Sequence, residues 1–376
     1  MFVLVYMSNI RGIFKKETVF CEDVFYNTQK TYLCFNKLNQ ISMFRSKISG
    51  LGYYVPDNVV TNDDLSKIMD TNNEWIVERT GIHERRHKLL AEDTTSGMGV
   101  KAAKKAMERA GVEAKDIDFV VFATLSPDYY FPGPGVLLQK ELGLDTVAAL
   151  DIRAQCSGFI YALSIADQYI KTGMYKTVLV VGSEVHSAGL DMTTRGRSVS
   201  VIFGDGAGAA ILTRSDDESG ILSTHIHSQG EHAEELALLA PGMGGRWVSD
   251  ILKDNDPDDL SYMPHMNGQF VFKNAVVRFS EVILEGLEAN KLAVSDIDML
   301  IPHQANLRIS QFIQQKFGLS DDQVYNNIQK YGNTTAASVP IALTEAWEKG
   351  KINKGDLVVL AAFGSGFTWG SVVLKW

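Results

Sequence analysis

Cysteine is scarce in this chain: Cys21, Cys34 and Cys156 are the whole complement, and only Cys156 lies within the patterned body of the sequence. That scarcity excludes a disulfide-stapled scaffold, and no zinc-ligand spacing accompanies it, so no metal site is expected. A lone body cysteine suits a reducing cytoplasm. No apolar run reaches about eighteen residues, so no membrane span is expected. Positive charge is also in deficit, with 36 Lys and Arg against 45 Asp and Glu and a net charge of −9. Binding to nucleic acid relies on clustered cations against phosphate, so the balance argues against a broad nucleic-acid surface. An acidic protein partner would have to meet a local patch of cations.

What remains is ordinary for a globular protein: 376 residues, 45% apolar and 22% charged. Such a chain can build one large α/β unit or two packed halves. Residues 1–42 differ from the rest, being rich in aromatics, Asn and Lys without a repeating apolar period. Met1 to Met7 is too short an apolar stretch for a signal-peptide core, and no small-residue cleavage site follows. This segment reads as a disordered extension or a mis-called start, with a strand-like pattern opening at Met43.

The body is organised around Asp151-Ile-Arg-Ala-Gln-Cys156-Ser-Gly-Phe159. The apolar run Val147 to Ile152 reads as a short buried strand, and Ser157 to Thr172 as an apolar-periodic helix. Cys156 thus sits at a helix N-terminus, where unpaired N–H groups and the helix dipole favour thiolate, the nucleophilic form. Taken alone it is equally describable as a small buried apolar residue. Upstream, Thr61-Asn-Asp-Asp64 resembles a capping box. Trp75 and Arg79 lie in a cation-dense stretch that reads either as a solvated basic turn or as a clamp for an adenine or a phosphate. The cluster Phe203-Gly-Asp-Gly-Ala-Gly208 lacks the order of a phosphate loop and reads as a close-packed turn.

The second half contains an irregular Pro-, Gly- and Asp-rich excursion from Ala240 to Asn267, then a long helix from Gln269 to Asn290. A buried strand, Ile297 to Ile301, ends at Pro302-His303. Ala114-Lys-Asp-Ile-Asp-Phe-Val-Val matches Val294-Ser-Asp-Ile-Asp-Met-Leu-Ile, and Gly173 to Val181 matches Lys354 to Leu360, both at an offset of about 180 residues. The repeat predicts a duplicated domain, with an N-terminal half over residues 43–217 and a C-terminal half over 218–376. Strands alternating with helices in each copy imply facing α/β layers.

Gln155-Cys-Ser-Gly-Phe159, Ile301-Pro-His-Gln-Ala-Asn-Leu-Arg308, Tyr331-Gly-Asn-Thr-Thr-Ala-Ala-Ser-Val-Pro340 and Gly364-Ser-Gly-Phe-Thr-Trp-Gly370 stand in that order. Together they resemble the 3-oxoacyl-[acyl-carrier-protein] synthase III family of the thiolase superfamily, over about Met43 to Trp376. The resemblance implies a thiolase fold, with duplicated α/β halves in a five-layered αβαβα sandwich, working as a homodimer. It implies a catalytic set of Cys156, His303 and Asn333, with backbone N–H groups of Cys156 and Ser365 as the oxyanion site. Trp75, Arg79 and Arg195 match positions that hold the nucleotide end of coenzyme A. Arg308 matches a carrier-protein contact, with Lys273 and Lys316 as companions, and Phe131 a residue that closes the neighbour's acyl pocket across the dimer.

The implied reaction is a decarboxylative Claisen condensation of an acyl-CoA starter with malonyl-[acyl-carrier-protein], initiating fatty acid biosynthesis. It needs no cofactor beyond the CoA thioester as substrate. Gln155 stands where many starters of fatty-acid chains carry a small residue, and the excursion at 240–267 is long. Both features motivate an alternative, a specialised condensing enzyme for longer acyl or β-keto substrates in secondary metabolism. A non-catalytic carrier-protein-binding relative is the alternative of another class, opposed by the presence of all three reactive residues.

Overall fold

The computed structural model describes residues 44–244 and 260–376. The segment 1–42 with Cys21 and Cys34, and residues 245–259 of the excursion, lie outside the described residues. The described chain opens with β1 (Arg45–Tyr54). A short ladder of β2 (Val59–Thr61) and β3 (Glu84–Arg86) follows, enclosing α1 (Asn62–Ser66) and α2 (Asn73–Thr80). The expected capping box is present, Thr61 and Asp64 bonding reciprocally at the start of α1. Next come α3 (Thr95–Ala110), β4 (Phe119–Ala123), α4 (Pro134–Leu142) and β5 (Ala148–Ile152). Then follow α5 (Gly158–Lys171), β6 (Thr177–Glu184), α6 (Arg197–Ser200) and β7 (Gly206–Ser215). The later part runs β8 (Gly220–Ser228), the small ladder β9 (Leu236–Ala237) and β10 (His265–Met266), α7 (Gly268–Ala289) and β11 (Met299–Pro302). It closes with α8 (Leu307–Phe317), α9 (Ile328–Tyr331), α10 (Ser338–Glu348), β12 (Leu357–Gly364) and β13 (Thr368–Lys375).

The main strands make a five-stranded sheet, β1-β7-β6-β4-β5, and a four-stranded sheet, β8-β13-β12-β11. In each, the first two pairings in that order are antiparallel and the third is parallel. The second sheet therefore repeats the first four positions of the first in both order and sense.

Strand periodicity explains the layers. In β4, Val121 and Ala123 face one way and Val120 and Phe122 the other, and both faces are buried. In β12, Val358, Leu360 and Ala362 alternate in the same way with Val359, Ala361 and Phe363. Unbroken apolar runs are what a strand covered on both faces requires. Between the sheets lie α5, through Phe159, Leu163 and Ile170, and α10, through Val339, Leu343 and Ala346. The outer face of the first sheet carries α3 and α4, that of the second α7 and α8. The result is five layers, αβαβα.

One expectation fails locally. The apolar run ending at Ile152 forms β5, but it is the last strand of its sheet and Ala148, Leu150 and Asp151 are exposed. An apolar run reports β propensity; it does not report whether a neighbouring element covers the strand.

Packing of α3 on β1 is close enough to exclude a single methyl group. A Cβ at Gly50 would lie 2.2 Å from the carbonyl oxygen of Ala106 and 2.7 Å from the nitrogen of Ala110. Gly50→Ala should lower stability by about 1–3 kcal/mol through overpacking. Gly230→Ala, where nothing lies within 4 Å of the added atom, should leave the urea midpoint within error. Equal midpoints for the two variants would contradict the contact.

Candidate active site

Both helices of the middle layer are entered through a single tight turn, Gln155–Ser157 before α5 and Thr335–Ala337 before α10. Each turn opens on a residue in the left-handed region, Gln155 at φ 44° and Thr335 at φ 48°. Neither is glycine, so each stores about 1–3 kcal/mol of backbone strain that the surrounding packing must hold. The two turns pack against each other. The residue after Gln155 is Cys156, so the sharp corner places the thiol at the start of α5.

Cys156 is buried against the end of β12. A Cβ at Gly364 would lie 2.7 Å from the Cys156 Cβ and 2.9 Å from its nitrogen, so glycine is required there. Burial pushes the Cys156 thiol up to about 12, with the Glu184 carboxylate adding to the rise and the backbone N–H groups of Cys156 and Ser365 and the Thr335 side chain opposing it. Burial therefore works against the thiolate that a helix terminus is expected to favour, because desolvation penalises the anion more than the nearby donors lower it.

Glu184, at the end of β6, is itself fully buried and raised to about 7, chiefly by desolvation. It accepts from Thr124 Oγ1 at 3.0 Å, from Ser126 Oγ at 2.5 Å and from backbone N–H groups of Leu125, Ser126 and Ala336.

His303 follows β11, its N–H donating to the Ala361 carbonyl at 2.8 Å. Its Nδ1 is hydrogen-bonded to Ser338 Oγ, and that oxygen also accepts from the backbone N–H of Gln304 at 3.4 Å. When the Ser338 hydroxyl donates to Nδ1, the ring proton sits on Nε2. Nε2 is buried without a partner among the described residues. Burial drives the imidazole down to about 3, so the ring is neutral near pH 7. Asn333 Oδ1 accepts from the Thr335 N–H at 2.9 Å, and its amide NH2 is without a partner among the described residues.

Cys156, His303 and Asn333 share one cavity of about 800 Å³ with Trp75, Arg79, Lys273 and Arg308. No Asp or Glu lines it among the described residues. Arg79 lies 4.5 Å over the Trp75 ring, and the Arg79 carbonyl accepts from Asn306 Nδ2 at 2.9 Å, tying α2 to the start of α8. Arg195 does not line the cavity; its Nε donates to Asp191 at 2.6 Å. Arg197, two residues on, lies 5.5 Å over the Trp75 ring instead. Lys316 is exposed in the last turn of α8, away from the lining. Phe131 is 80% exposed, beside exposed Tyr129 and Tyr130, and also outside the lining. Ser365 presents its N–H to the sulfur while its Oγ donates to the Leu236 carbonyl.

Sequence reasoning did not single out Glu184, Ser338, Thr335 or Arg197. Ser338 and Thr335 fall inside the quoted Tyr331–Pro340 patch, so the motif held the signal without separating its members.

Two family models match: that of 3-oxoacyl-[acyl-carrier-protein (ACP)] synthase III over residues 150–230, and that of its C-terminal part over residues 287–376. The beta-ketoacyl-[acyl-carrier-protein] synthase III of Methylococcus capsulatus is 46% identical over 331 residues, covering 88% of this chain and 99% of that protein. The crystal structure of 3-oxoacyl-[acyl-carrier-protein] synthase III from Aquifex aeolicus is similar at a TM-score of 0.80 and 43% identity, over 88% of this chain and 100% of that one. A priming beta-ketosynthase from the R1128 polyketide biosynthetic pathway is similar at a TM-score of 0.80 and 32% identity, over 89% of this chain and 97% of that one.

The buried neutral imidazole has a thermodynamic consequence. Between about pH 3 and 6.5 the unfolded chain binds a proton at His303 that the native protein excludes, so this group makes stability rise with pH across that window. His303→Gln should flatten the slope by about 1.4 kcal/mol per pH unit. Urea titrations at pH 4.5, 5.5 and 7 (within the roughly 3–6.5 window and above it) check this; an unchanged slope would mean that His303 is protonated in the native state.

Proposed function

The chain belongs to the 3-oxoacyl-[acyl-carrier-protein] synthase III family and has its thiolase fold, and from that premise we propose that Cys156, His303 and Asn333 are its catalytic residues. It is an acyltransferase of the condensing type, acting at the start of fatty acid synthesis. The substrates proposed are an acyl-CoA starter and malonyl-[acyl-carrier-protein]. The observation that carries the assignment is the convergence of the Cys156 thiol, the unpartnered His303 Nε2 and the Asn333 amide on a single cavity with no carboxylate among its described lining residues.

In the first half-reaction the Cys156 sulfur attacks the acyl-CoA carbonyl, and the N–H groups of Cys156 and Ser365 receive the oxyanion. The C–S bond to CoA then breaks, the acyl group stays on Cys156 as a thioester, and the thiol proton leaves with CoA. In the second, the malonyl carboxylate departs as carbon dioxide and its bonding electrons form an enolate. A neutral His303 with its proton on Nε2 is a donor, and with Asn333 it stabilises the enolate oxygen. The enolate carbon attacks the carbonyl of the Cys156 thioester, the C–S bond to Cys156 breaks with its electron pair on the sulfur, which takes up a proton from solvent, and the 3-oxoacyl product leaves on the carrier. No step calls for a metal or prosthetic group.

Outside the chemistry, Trp75, Arg79 and Arg195 are proposed to hold the nucleotide end of CoA, by stacking and by charge. Arg308 and Lys273 at the cavity, with Lys316 further along α8, offer an acidic carrier protein a basic patch on a chain of net charge −9. Exposed Phe131 and the uncovered edge of β5 suit a homodimer in which Phe131 closes the partner's acyl pocket. The matching strand orders support a duplication with its boundary at residues 217/218. No helix among the described residues is long and apolar enough to cross a membrane, and a reduced nucleophile suits the cytoplasm.

Separate chemistry for the two half-reactions gives separate phenotypes. Cys156→Ala should abolish labelled acyl transfer to protein yet retain some carbon dioxide release from malonyl-carrier. His303→Ala and Asn333→Ala should still accept the acyl group while condensation falls by about two to three decades. Normal decarboxylation by His303→Ala, with none by Cys156→Ala, would reverse the roles.

A second outcome concerns the patch. Arg308→Glu should raise KM for malonyl-carrier and spare acyl transfer from CoA. Equal losses in both half-reactions would make Arg308 a CoA-binding or structural residue instead.

A further inference from the structure

The roles assigned above leave one buried polar contact behind Cys156 unused. His186, two residues beyond β6, is buried with its ring against Phe203 at 4.6 Å, and its Nε2 lies 2.7 Å from Thr335 Oγ1. The turn that carries Thr335 packs against the turn that carries Cys156, and the Thr335 side chain is among the groups that lower the Cys156 thiol. Thr335 is not free to move: its backbone sits at φ 48° and its N–H is held by Asn333 Oδ1.

A hydroxyl has one hydrogen and two lone pairs. If Thr335 gives that hydrogen to His186, it faces the sulfur with lone pairs and repels a thiolate. If it accepts from His186, its hydrogen is left for the sulfur. Burial lowers the His186 pKa to about 4, against the pull of nearby Asp205, so the ring is neutral near pH 7 and carries one N–H. The Asp205 carboxylate is occupied elsewhere, by the backbone N–H groups of His186, Ser187 and Lys88 and by the Ser187 hydroxyl.

We propose that His186 and Thr335 are positioning residues for the nucleophile. His186 donates from Nε2 to Thr335 Oγ1, which commits the Thr335 hydrogen to the Cys156 sulfur and stabilises the thiolate as it attacks. No proton is transferred along this pair; it orients a donor. The inference rests on Cys156 being the nucleophile. The charged and titratable groups around it are Glu184 near the sulfur, Asp205 and His87 near His186, and His303, Arg79, Lys273 and Arg308 in the cavity lining.

The test is the rate of iodoacetamide alkylation of the full chain at one fixed pH well below the thiol midpoint, read by mass on the Cys156 peptide so that Cys21 and Cys34 do not interfere. Thr335→Val and His186→Leu should each slow alkylation about tenfold, the equivalent of about one pH unit in thiolate population. Thr335→Ser and His186→Gln, which restore a hydroxyl and an N–H donor, should recover most of the rate. Melting curves identify any variant that is merely unfolded. An unchanged rate in folded Thr335→Val overturns the proposal, as does His186→Gln behaving like His186→Leu. Acyl transfer that survives in Cys156→Ala would instead overturn the choice of nucleophile, and the alkylation rates keep the two failures apart.

Discussion

The structure depends on a collision that the fold makes unavoidable: two helix N-termini are brought together in the middle layer of the protein. α5 and α10 both start there, each through a strained three-residue turn. Each presents backbone N–H groups with no partner inside its own helix. Such donors need anions, carbonyls or carboxylates, and the site is the inventory of what answers them. Glu184 takes the Ala336 N–H, the Asn333 carboxamide takes that of Thr335, and the sulfur takes that of Cys156.

The matching order of the two sheets makes the turns counterparts. Gln155 corresponds to Thr335 by its position and its φ, and Cys156 to Ala336. One copy of the corner carries the proposed nucleophile, while the other supplies its surroundings, with Ser338, the first residue of α10, hydrogen-bonded to His303 Nδ1. Division of labour between near-equivalent corners explains why the reactive groups lie far apart in the chain and within one cavity in space.

Several parts of this were legible before any coordinates. The strand-to-helix corner around Cys156 could be read because apolar periodicity changes from a run to a helical spacing at that point. His303 could be read because Pro302 ends a buried strand next to it. Ser338, Glu184 and His186 could not, because their meaning lies in partners 35, 58–60 and 149 residues away. The exposure of β5 and the choice of Arg197 over Arg195 as the second cation on Trp75 share that cause. Sequence spacing fixes which residues are neighbours along an element, and it is silent on which face another element covers. The burial of Cys156 was legible as a possibility, but its effect on the thiol was not, because desolvation is a property of the whole cavity.

A sulfur kept protonated at rest also differs from most reactive cysteines in its exposure to damage. Peroxide and other oxidants attack the thiolate far more readily than the thiol, and sulfinic and sulfonic products are irreversible in most settings. Burial and Glu184 both favour the thiol form of Cys156, the form that oxidants attack least. Gly364 lacks the Cβ that would lie 2.7 Å from the Cys156 Cβ, and by letting β12 pack that closely it is part of the shield.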